Sequence, residues 1–63
     1  MVSLRKFGFG DLVSSNGTGN LGIVMKSPHE IEFGQTVMNV HMITGRLRGR
    51  TLIVHVDAYR HRI

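Results

Sequence analysis

The stretch TVMNVHMITGRLRGRTLIVHV, residues 36–56, decides the fold class of this 63-residue chain. Its two ends, 36–43 and 51–56, are rich in Val, Ile, Met and Thr, and a turn with two glycines separates them. Short β-branched runs bounded by turn residues are typical of β-strands. The sequence therefore predicts a hairpin of two antiparallel strands.

The alternation of residues along this hairpin predicts which side faces the interior. Because successive side chains point to opposite faces of a strand, one face carries only apolar residues. The predicted register places Met42 opposite Leu52, Val40 opposite Val54, and Met38 opposite Val56. A slip of one residue would turn this whole set outward. We expect the set to line the core, with Asn39 opposite His55 on the outer face.

Three more strands complete the prediction. The runs 11–15 and 21–26 have the same character, and 60–63 is expected to return as a short closing strand. Asp57 is placed to cap a single 3₁₀ turn through Ala58 and Tyr59. No window shows the apolar spacing of an amphipathic helix. The prediction is a single all-β domain over residues 1–63, with five antiparallel strands and a short 3₁₀ turn before the last.

The glycines of NGTGNLG, residues 16–22, match the G-x-G-x-x-G spacing of a dinucleotide-binding loop. That motif needs a strand before it, a helix after it and a βαβ unit of about 30 residues. Here Ile23 and Val24 disfavour a helix, and Pro28 would end one after its first turn. Asn16-Gly17 and Gly19-Asn20 instead supply the positive-φ positions of a hairpin turn. We interpret the stretch as a turn and expect no nucleotide cofactor.

Four or five short strands with glycine-rich turns bury a core most easily by curling into a small barrel. The order of FGDLV (9–13), a glycine-rich turn, GIV (22–24), a strand pair and VDAYRHRI (56–63) resembles the five-stranded SH3-like barrel. It is more narrowly similar to the KOW-type and small phage-encoded variants, with their Gly-Asp-x-Val and Gly-x-Val strands. That resemblance implies a binding module for RNA, DNA or protein, and not an enzyme. Separately, because the sequence shows no membrane span and no secretory signal, we expect a cytoplasmic protein.

A weaker resemblance connects FGFGD, residues 7–11, to the plasmid-type dihydrofolate reductase, a short barrel that starts Phe-Gly-x-Gly-Asp. That enzyme lines its tetrameric pore with a Val-Gln-Ile-Tyr strand. This chain has Leu52-Ile53-Val54-His55 at the comparable place, so the Gln and Tyr are missing. A divergent reductase is therefore a remote alternative, and the activity is not carried over.

Composition narrows the classes of partner. The chain lacks cysteine, which excludes disulfides and thiolate metal sites. No apolar run approaches the roughly 18 to 20 residues of a membrane span, so we expect no membrane partner. Eight Lys and Arg against four Asp and Glu give a net charge of +4, which favours polyanions or acidic surfaces. So short a chain also gains from self-association, since a single small core supplies little stability.

The arginines of GRLRGR (45–50) are the main candidate binding residues. If the turn is extended, alternate spacing would aim all three side chains to one side. Guanidinium groups bind phosphates or carboxylates through paired hydrogen bonds. The alternative is a solvated turn that is polar for solubility. The candidate set, including possible extensions at both ends of the chain, is Arg46, Arg48, Arg50, Arg60, Arg62 and Lys6.

We interpret the remaining aromatic, histidine, acidic and serine residues as structural or solvent-exposed. Phe7 and Phe9 alternate, and we expect them to plug the open end of the barrel. In the predicted register His41 and His55 are diagonal neighbours, but a zinc site needs three or four ligands. We therefore expect no metal. Glu30 and Glu32 fall in SPHEIEFG (27–34), interpreted as a turn-like connection with solvated carboxylates, and no serine has a base arranged beside it.

Two functions remain open from the sequence. The first is a non-enzymatic accessory or regulatory protein, of the kind phages encode, that contacts nucleic acid or its machinery through the arginine-rich turn. The second is a protein-interaction or assembly subunit that presents the outer face at Ile43 and Ile53, or an open sheet edge.

Overall fold

The computed structural model describes residues 7–62, apart from the side chain of Glu32, as five antiparallel strands in one sheet. The strands are β1 (Leu12–Ser15), β2 (Leu21–Glu30), β3 (Thr36–Met42), β4 (Thr51–His55) and β5 (Tyr59–His61). A short 3₁₀ segment, Glu32–Gly34, connects β2 to β3, and a 3₁₀ helix, Val56–Ala58, precedes β5. The prediction of an all-β chain with a 3₁₀ turn before the last strand is confirmed.

The sheet has the strand order β4-β3-β2-β1-β5. Consecutive strands β1 to β4 are neighbours, and the last strand pairs with the first, so β4 and β5 are the two edges. The sheet is nevertheless curled, as a contact between two of its strands shows. The Tyr59 hydroxyl on β5 donates to the Met42 Sδ on β3 at 3.5 Å. Two strands that lie three places apart in the sheet thus meet across the core.

The core lies on the concave face of this sheet. It is formed by buried side chains from four strands and from the segment before β1: Phe7, Val13, Val24, Met38, Val40, Met42 and Tyr59. Leu52, Val54 and Val56 are partly buried and pack against this cluster. The predicted interior face of the hairpin is therefore confirmed. The burial follows from the period-two apolar pattern of β3 and β4, which turns alternate side chains to the same face.

The register predicted for the hairpin is wrong by two residues. Met38 lies opposite Val54, Val40 opposite Leu52, and Asn39 opposite Ile53. The cause is the β3–β4 loop, where the Met42 carbonyl accepts from the Gly49 N–H while the Met42 N–H donates to the Arg50 carbonyl. Gly49 and Arg50 thus lie opposite the single residue Met42, which makes a β-bulge. Glycine suits this position because its φ is +85°. A shift of two residues leaves every side chain on its predicted face.

The corrected register also changes the outer face. His55 lies opposite Val37, and His41 lies opposite Thr51, so His41 and His55 are not diagonal neighbours. His29 on β2 also pairs with Val37, which places one histidine on either side of it. Although Val37 belongs to the outer face, it is only 3 % exposed. The outer face of the sheet is thus partly apolar and partly covered.

Strand β2 continues four residues beyond its predicted end at Lys26. It runs through Pro28 to Glu30, so the expected turn-like connection over 27–34 is wrong for its first half. Two register shifts against β3, at Val24/Lys26 and Lys26/His29, each add one residue to β2. Such bulges bend a strand, and they accept a proline that cannot donate to the ladder. The bend lets one long strand serve both parts of the curled sheet.

The glycine-rich stretch 16–22 is a turn, as predicted, but its three glycines differ in role. Of these, Gly19 alone has a positive φ, +77°, and its N–H donates to the Ser15 carbonyl at 2.8 Å. Gly17 is not in the left-handed region, so that detail of the prediction is wrong. Gly22 is buried in β2, where an added Cβ would overlap the Val40 Cγ1. It is needed for the close approach of β2 to the core.

Replacing Gly22 by alanine is expected to destabilise the protein by about 1–3 kcal/mol. Replacing a strand glycine by alanine normally stabilises a protein by about 0.5–1 kcal/mol, because alanine restricts the backbone of the unfolded chain. Here the overlap of the added Cβ with Val40 outweighs that gain, because the Val40 side chain is β-branched and fully buried and cannot rotate away easily. The matched control is Gly17→Ala, which meets no atom within 4 Å. Chemical denaturation of both variants measures the difference; equal midpoints would contradict the packing described.

The 3₁₀ helix before β5 is not capped by Asp57. Its N-cap residue is His55, which makes no side-chain capping hydrogen bond, and Asp57 lies inside the first turn. Asn16 secures the segment instead. Its backbone N–H donates to the Ala58 carbonyl at 2.8 Å, and its side-chain amide donates to the Asp57 carbonyl at 2.9 Å. The connection between β4 and β5 is therefore held by the β1–β2 turn.

Candidate nucleic-acid interface

The arginine loop, defined here as residues 43–50 between β3 and β4, carries Arg46, Arg48 and Arg50. All three arginines are exposed. The loop is folded into two successive turns, because the Arg48 N–H donates to the Gly45 carbonyl at 3.3 Å and the Arg50 N–H to the Leu47 carbonyl at 3.0 Å. The prediction that alternate spacing aims the three arginines to one side assumed an extended turn, so it does not apply to this folded loop. The loop instead gathers three cationic side chains within two tight turns.

The base of the arginine loop is fixed to the start of β2. The Leu21 N–H donates to the Thr44 Oγ1 at 2.8 Å, and the Ile43 N–H donates to the Leu21 carbonyl at 2.9 Å. Gly45 has φ +86° and packs so closely on the Asn20 side chain that a Cβ would overlap it. The loop is thus held against the β1–β2 turn by hydrogen bonds and by close packing.

A cleft of about 720 Å³ opens beside the arginine loop. Its apolar lining comes from β3, β4, β5 and the loop, and its polar side chains come from the end of β1 and the β1–β2 turn. The lining residues are Ser15, Thr18, Asn20, Met42, Gly45, Arg46, Leu47, Leu52 and Tyr59. Arg46 is the one charged residue among them, so the cleft has an apolar interior with a cationic rim.

The loop arginines are not neutralised by the rest of the described chain. Among residues 7–62 the ion pair within 4 Å joins His61 to Asp11, and no carboxylate that the structure describes pairs with an arginine. Unpaired exposed guanidinium groups keep their hydrogen-bond donors available to a ligand. The loop and the rim of the cleft therefore form a local concentration of positive charge.

Arg60 lies on β5 and Arg62 directly follows that strand, so neither is on the arginine loop. Both are exposed. They alternate with Tyr59 and His61, so they project from the face of β5 opposite the buried Tyr59. The structure does not bring them into the cleft. Lys6 lies outside the described residues.

Asp11 and His61 form a polar cluster with Phe7 at the start of β1. The Asp11 Oδ2 accepts from the Gly8 N–H at 2.8 Å and lies 3.2 Å from the His61 Nε2. The His61 ring stacks on Phe7 with centroids 4.4 Å apart. The Gly8 hydrogen bond, and secondly the bond to His61, lower the pKa of the Asp11 carboxyl. The cluster fixes residues 7–11 to the last strand and has no direct contact with the arginine loop.

The lowered pKa of Asp11 predicts a stability that depends on pH. Since the pKa is lower folded than unfolded, the ionised carboxylate stabilises the protein above about pH 4. This contribution is lost as the pH falls through the folded-state pKa. Asp11→Asn removes the charge and keeps the side-chain size. We expect a gap in free energy of unfolding between wild type and variant that is present at neutral pH and closes in acid; urea denaturation at several pH values measures it, and a pH-independent gap would contradict it.

The two phenylalanines that were predicted to plug the open end of the barrel together differ in burial. Phe7 is buried in the core, as expected, whereas Phe9 is 74 % exposed, so the idea that both plug one end is wrong for Phe9. Residues 7–10 form no strand, so the alternation of Phe7 and Phe9 in the sequence does not place them on one face. The most exposed aromatic is Phe33, at 94 %. Sequence reasoning missed it; its position after Glu30 and Glu32 and before Gly34 was the available signal.

The histidines do not converge on a metal. His41 Nδ1 lies 3.0 Å from the Thr51 Oγ1, and His29 Nδ1 lies 3.2 Å from the Ser27 carbonyl. Among the described side chains, which do not include that of Glu32, no group of three or more His, Asp or Glu could hold a metal ion. Glu30 is exposed at the end of β2.

Comparison with family models, curated proteins and solved structures finds no match to this chain. The described part of the chain contains no helix with the length and apolar character needed to span a bilayer. The functional proposal below therefore depends on the geometry and charge of the site.

Proposed function

We propose that this protein is a small SH3-like barrel that acts by binding nucleic acid or its machinery, and not by catalysis. The pairing of the last strand with the first and the contact between Tyr59 and Met42 support a curled, barrel-like arrangement. The order of a Gly-Asp strand, a Gly-Ile-Val strand and a hairpin supports the SH3-like and KOW-type resemblance.

The observation that carries the proposal is the anchored arginine loop. Three exposed arginines stand on eight residues whose base is hydrogen-bonded to β2. A loop held in this way loses little conformational freedom on binding, which favours affinity. Guanidinium groups pair with phosphate oxygens through two parallel hydrogen bonds. A phosphate backbone is therefore the ligand that best matches both the charge and the hydrogen-bond donors of the loop.

The cleft beside the loop extends this proposal to the sugars or bases next to the bound phosphates. Ser15, Thr18 and Asn20 offer polar atoms along one side, while Met42 and Leu52 line the apolar side. Polar side chains of these types commonly contact nucleic-acid backbones. Arg60 on β5 and Arg62 directly after it are a second pair of exposed basic residues that a longer ligand could contact.

Binding of duplex DNA and of RNA at two salt concentrations tests the proposal. Fluorescence anisotropy is expected to show binding at about 50 mM salt that weakens steeply at about 200 mM, since phosphate contacts release condensed counterions. Absence of binding to both nucleic acids at the lower salt concentration would rule the proposal out.

A second candidate function is protein docking at the β4 edge. Ile53 is 70 % exposed and Ile43 is 44 % exposed. β4 pairs with β3 alone, so its other side offers backbone groups to an added strand. A lysine at position 53 would block an apolar partner there while leaving the arginine loop intact. Loss of a captured protein partner on Ile53→Lys, with unchanged nucleic-acid binding, would favour this function over the first.

A further inference from the structure

The connection between β2 and β3 displays an aromatic side chain in an unusual conformation. Phe33 has φ 66° and ψ 23°, the left-handed region that bulky residues rarely adopt. Its side chain is 94 % exposed, so no packing within residues 7–62 repays this strain. The Ile31 N–H closes the connection by donating to the Gln35 carbonyl at 2.8 Å. Strained residues that the fold holds in place are found mostly where they serve binding or switching.

The surroundings of Phe33 are acidic and apolar. We call residues 30–33, Glu-Ile-Glu-Phe, the acidic tip. Glu30 is exposed and Ile31 is 45 % exposed. The tip holds two of the four acidic residues of a chain whose net charge is +4. Of the other two, Asp11 is paired with His61, and Asp57 is exposed in the 3₁₀ helix before β5. Two of the four acidic residues thus lie within three sequence positions of the exposed Phe33.

The cleft beside the arginine loop has the complementary character. Its lining includes Met42, Leu47 and Leu52, which suit a phenyl ring, and it contains no carboxylate. Arg46 stands at its rim, and Arg48 and Arg50 follow on the same loop. An aromatic anchor in an apolar pocket surrounded by opposite charges is the usual composition of a strong contact point between proteins.

The tip and the cleft cannot meet within one molecule. β3 begins at Thr36, just after the tip, and ends at Met42, in the wall of the cleft. Seven strand residues separate the two by roughly 20 Å, at about 3.3 Å per residue. A contact between them must join two copies, and two different surfaces then form each interface. Such head-to-tail contacts produce rings or open chains.

We propose that the chain assembles head to tail, with Phe33 of one copy inserted into the cleft of the next. The acidic tip of the first copy then lies beside the arginine loop of the second, so salt weakens the assembly. In the assembled form the cleft is occupied by a second copy of this chain, so it is closed there to the sugars or bases of a nucleic acid. The proposal stands on the Phe33 geometry and the charge distribution, and it does not require nucleic-acid binding.

Two variants that each disable one half of the contact test the proposal. Phe33→Gly removes the ring and suits the left-handed backbone. The double variant Arg46→Glu, Leu47→Asp changes only exposed residues at the cleft. Circular dichroism verifies that both keep the fold. Sedimentation velocity of the wild type at increasing concentration is expected to show species larger than a dimer of the 7.1 kDa chain. Each variant alone should be monomeric.

Mixing the two variants gives the decisive result. The Phe33→Gly chain keeps a working cleft, and the cleft variant keeps a working tip. An equimolar mixture should therefore form a 1:1 complex that grows no further. A wild type that stays monomeric at millimolar concentration overturns the proposal. Assembly that survives both variants, or a mixture that stays monomeric, does the same.

Discussion

Met38→Ala is expected to lower the free energy of unfolding by about 2–5 kcal/mol, the usual cost of truncating a fully buried methionine. Met38 has no exposed surface and lies in the middle of β3, where Val54 of β4 is its cross-strand neighbour. A chain of this size has a total stability of only about 3–9 kcal/mol. The variant should therefore be largely unfolded at room temperature or have a strongly lowered thermal midpoint.

The matched control for this truncation is Met25→Ala on β2. Met25 is 44 % exposed, and it is the residue inserted at the first bulge of that strand. Removing the same atoms there should change the free energy of unfolding by about 0.5 kcal/mol or less. Thermal and urea denaturation of the two variants compare a buried and an exposed methionine directly. Equal destabilisation would mean that β3 does not lie in the centre of the core.

Replacing Arg46, Arg48 and Arg50 together by glutamine is expected to weaken nucleic-acid binding by roughly 100- to 1,000-fold at about 50 mM salt. Each arginine that neutralises one phosphate contributes close to one unit to the slope of log affinity against log salt. The slope should therefore fall by about three. All three residues are exposed, so the folded state should be unaffected. Anisotropy titrations over a range of salt concentrations measure both quantities.

A charge-matched control separates the loop from the net charge of the chain. Replacing Lys26, Arg60 and Arg62 by glutamine removes the same three positive charges from β2 and from β5 and its C-terminal end. It should cost less affinity and reduce the slope less than the loop variant does. If the two triple variants lose affinity equally, the binding is a general effect of positive charge and the arginine loop is not its site.

The interior face of the hairpin could be predicted because it depends only on a period of two. Met38, Val40 and Met42 alternate with polar or β-branched residues, and any pairing that keeps this period turns them inward. The register could not be predicted in the same way. It depends on how residues 43–50 fold, and the observed loop, with its bulge at Gly49, leaves the pairing two residues from the predicted one without exposing an apolar side chain.

The length of β2 and the position of Phe33 could not be predicted for related reasons. Pro28 usually ends a strand, but two bulges allow β2 to continue to Glu30. The connection is then only five residues long, and closing it places Phe33 in a left-handed conformation. Both effects come from pairing with β3, which is not visible in local sequence preferences.

The sequence predicts candidate binding residues, whereas the form of the surface that carries them is known only from the structure. Arg46, Arg48 and Arg50 were selected for their charge, and the structure shows them exposed on one loop. The cleft beside them arises because Tyr59 of the last strand reaches Met42 of the third. That contact joins residues 17 positions apart through the curl of the sheet, and no local pattern indicates it.

Amide chemical-shift mapping during titration with a short oligonucleotide at low salt tests the proposed binding surface most directly. Saturable shifts concentrated in residues 44–50, and extending to the β1–β2 turn at 18–20, are the result expected of an anchored arginine loop beside a cleft. Shifts confined to the β4 edge, or a spectrum that does not change at all, would show that the loop is only a solvated turn.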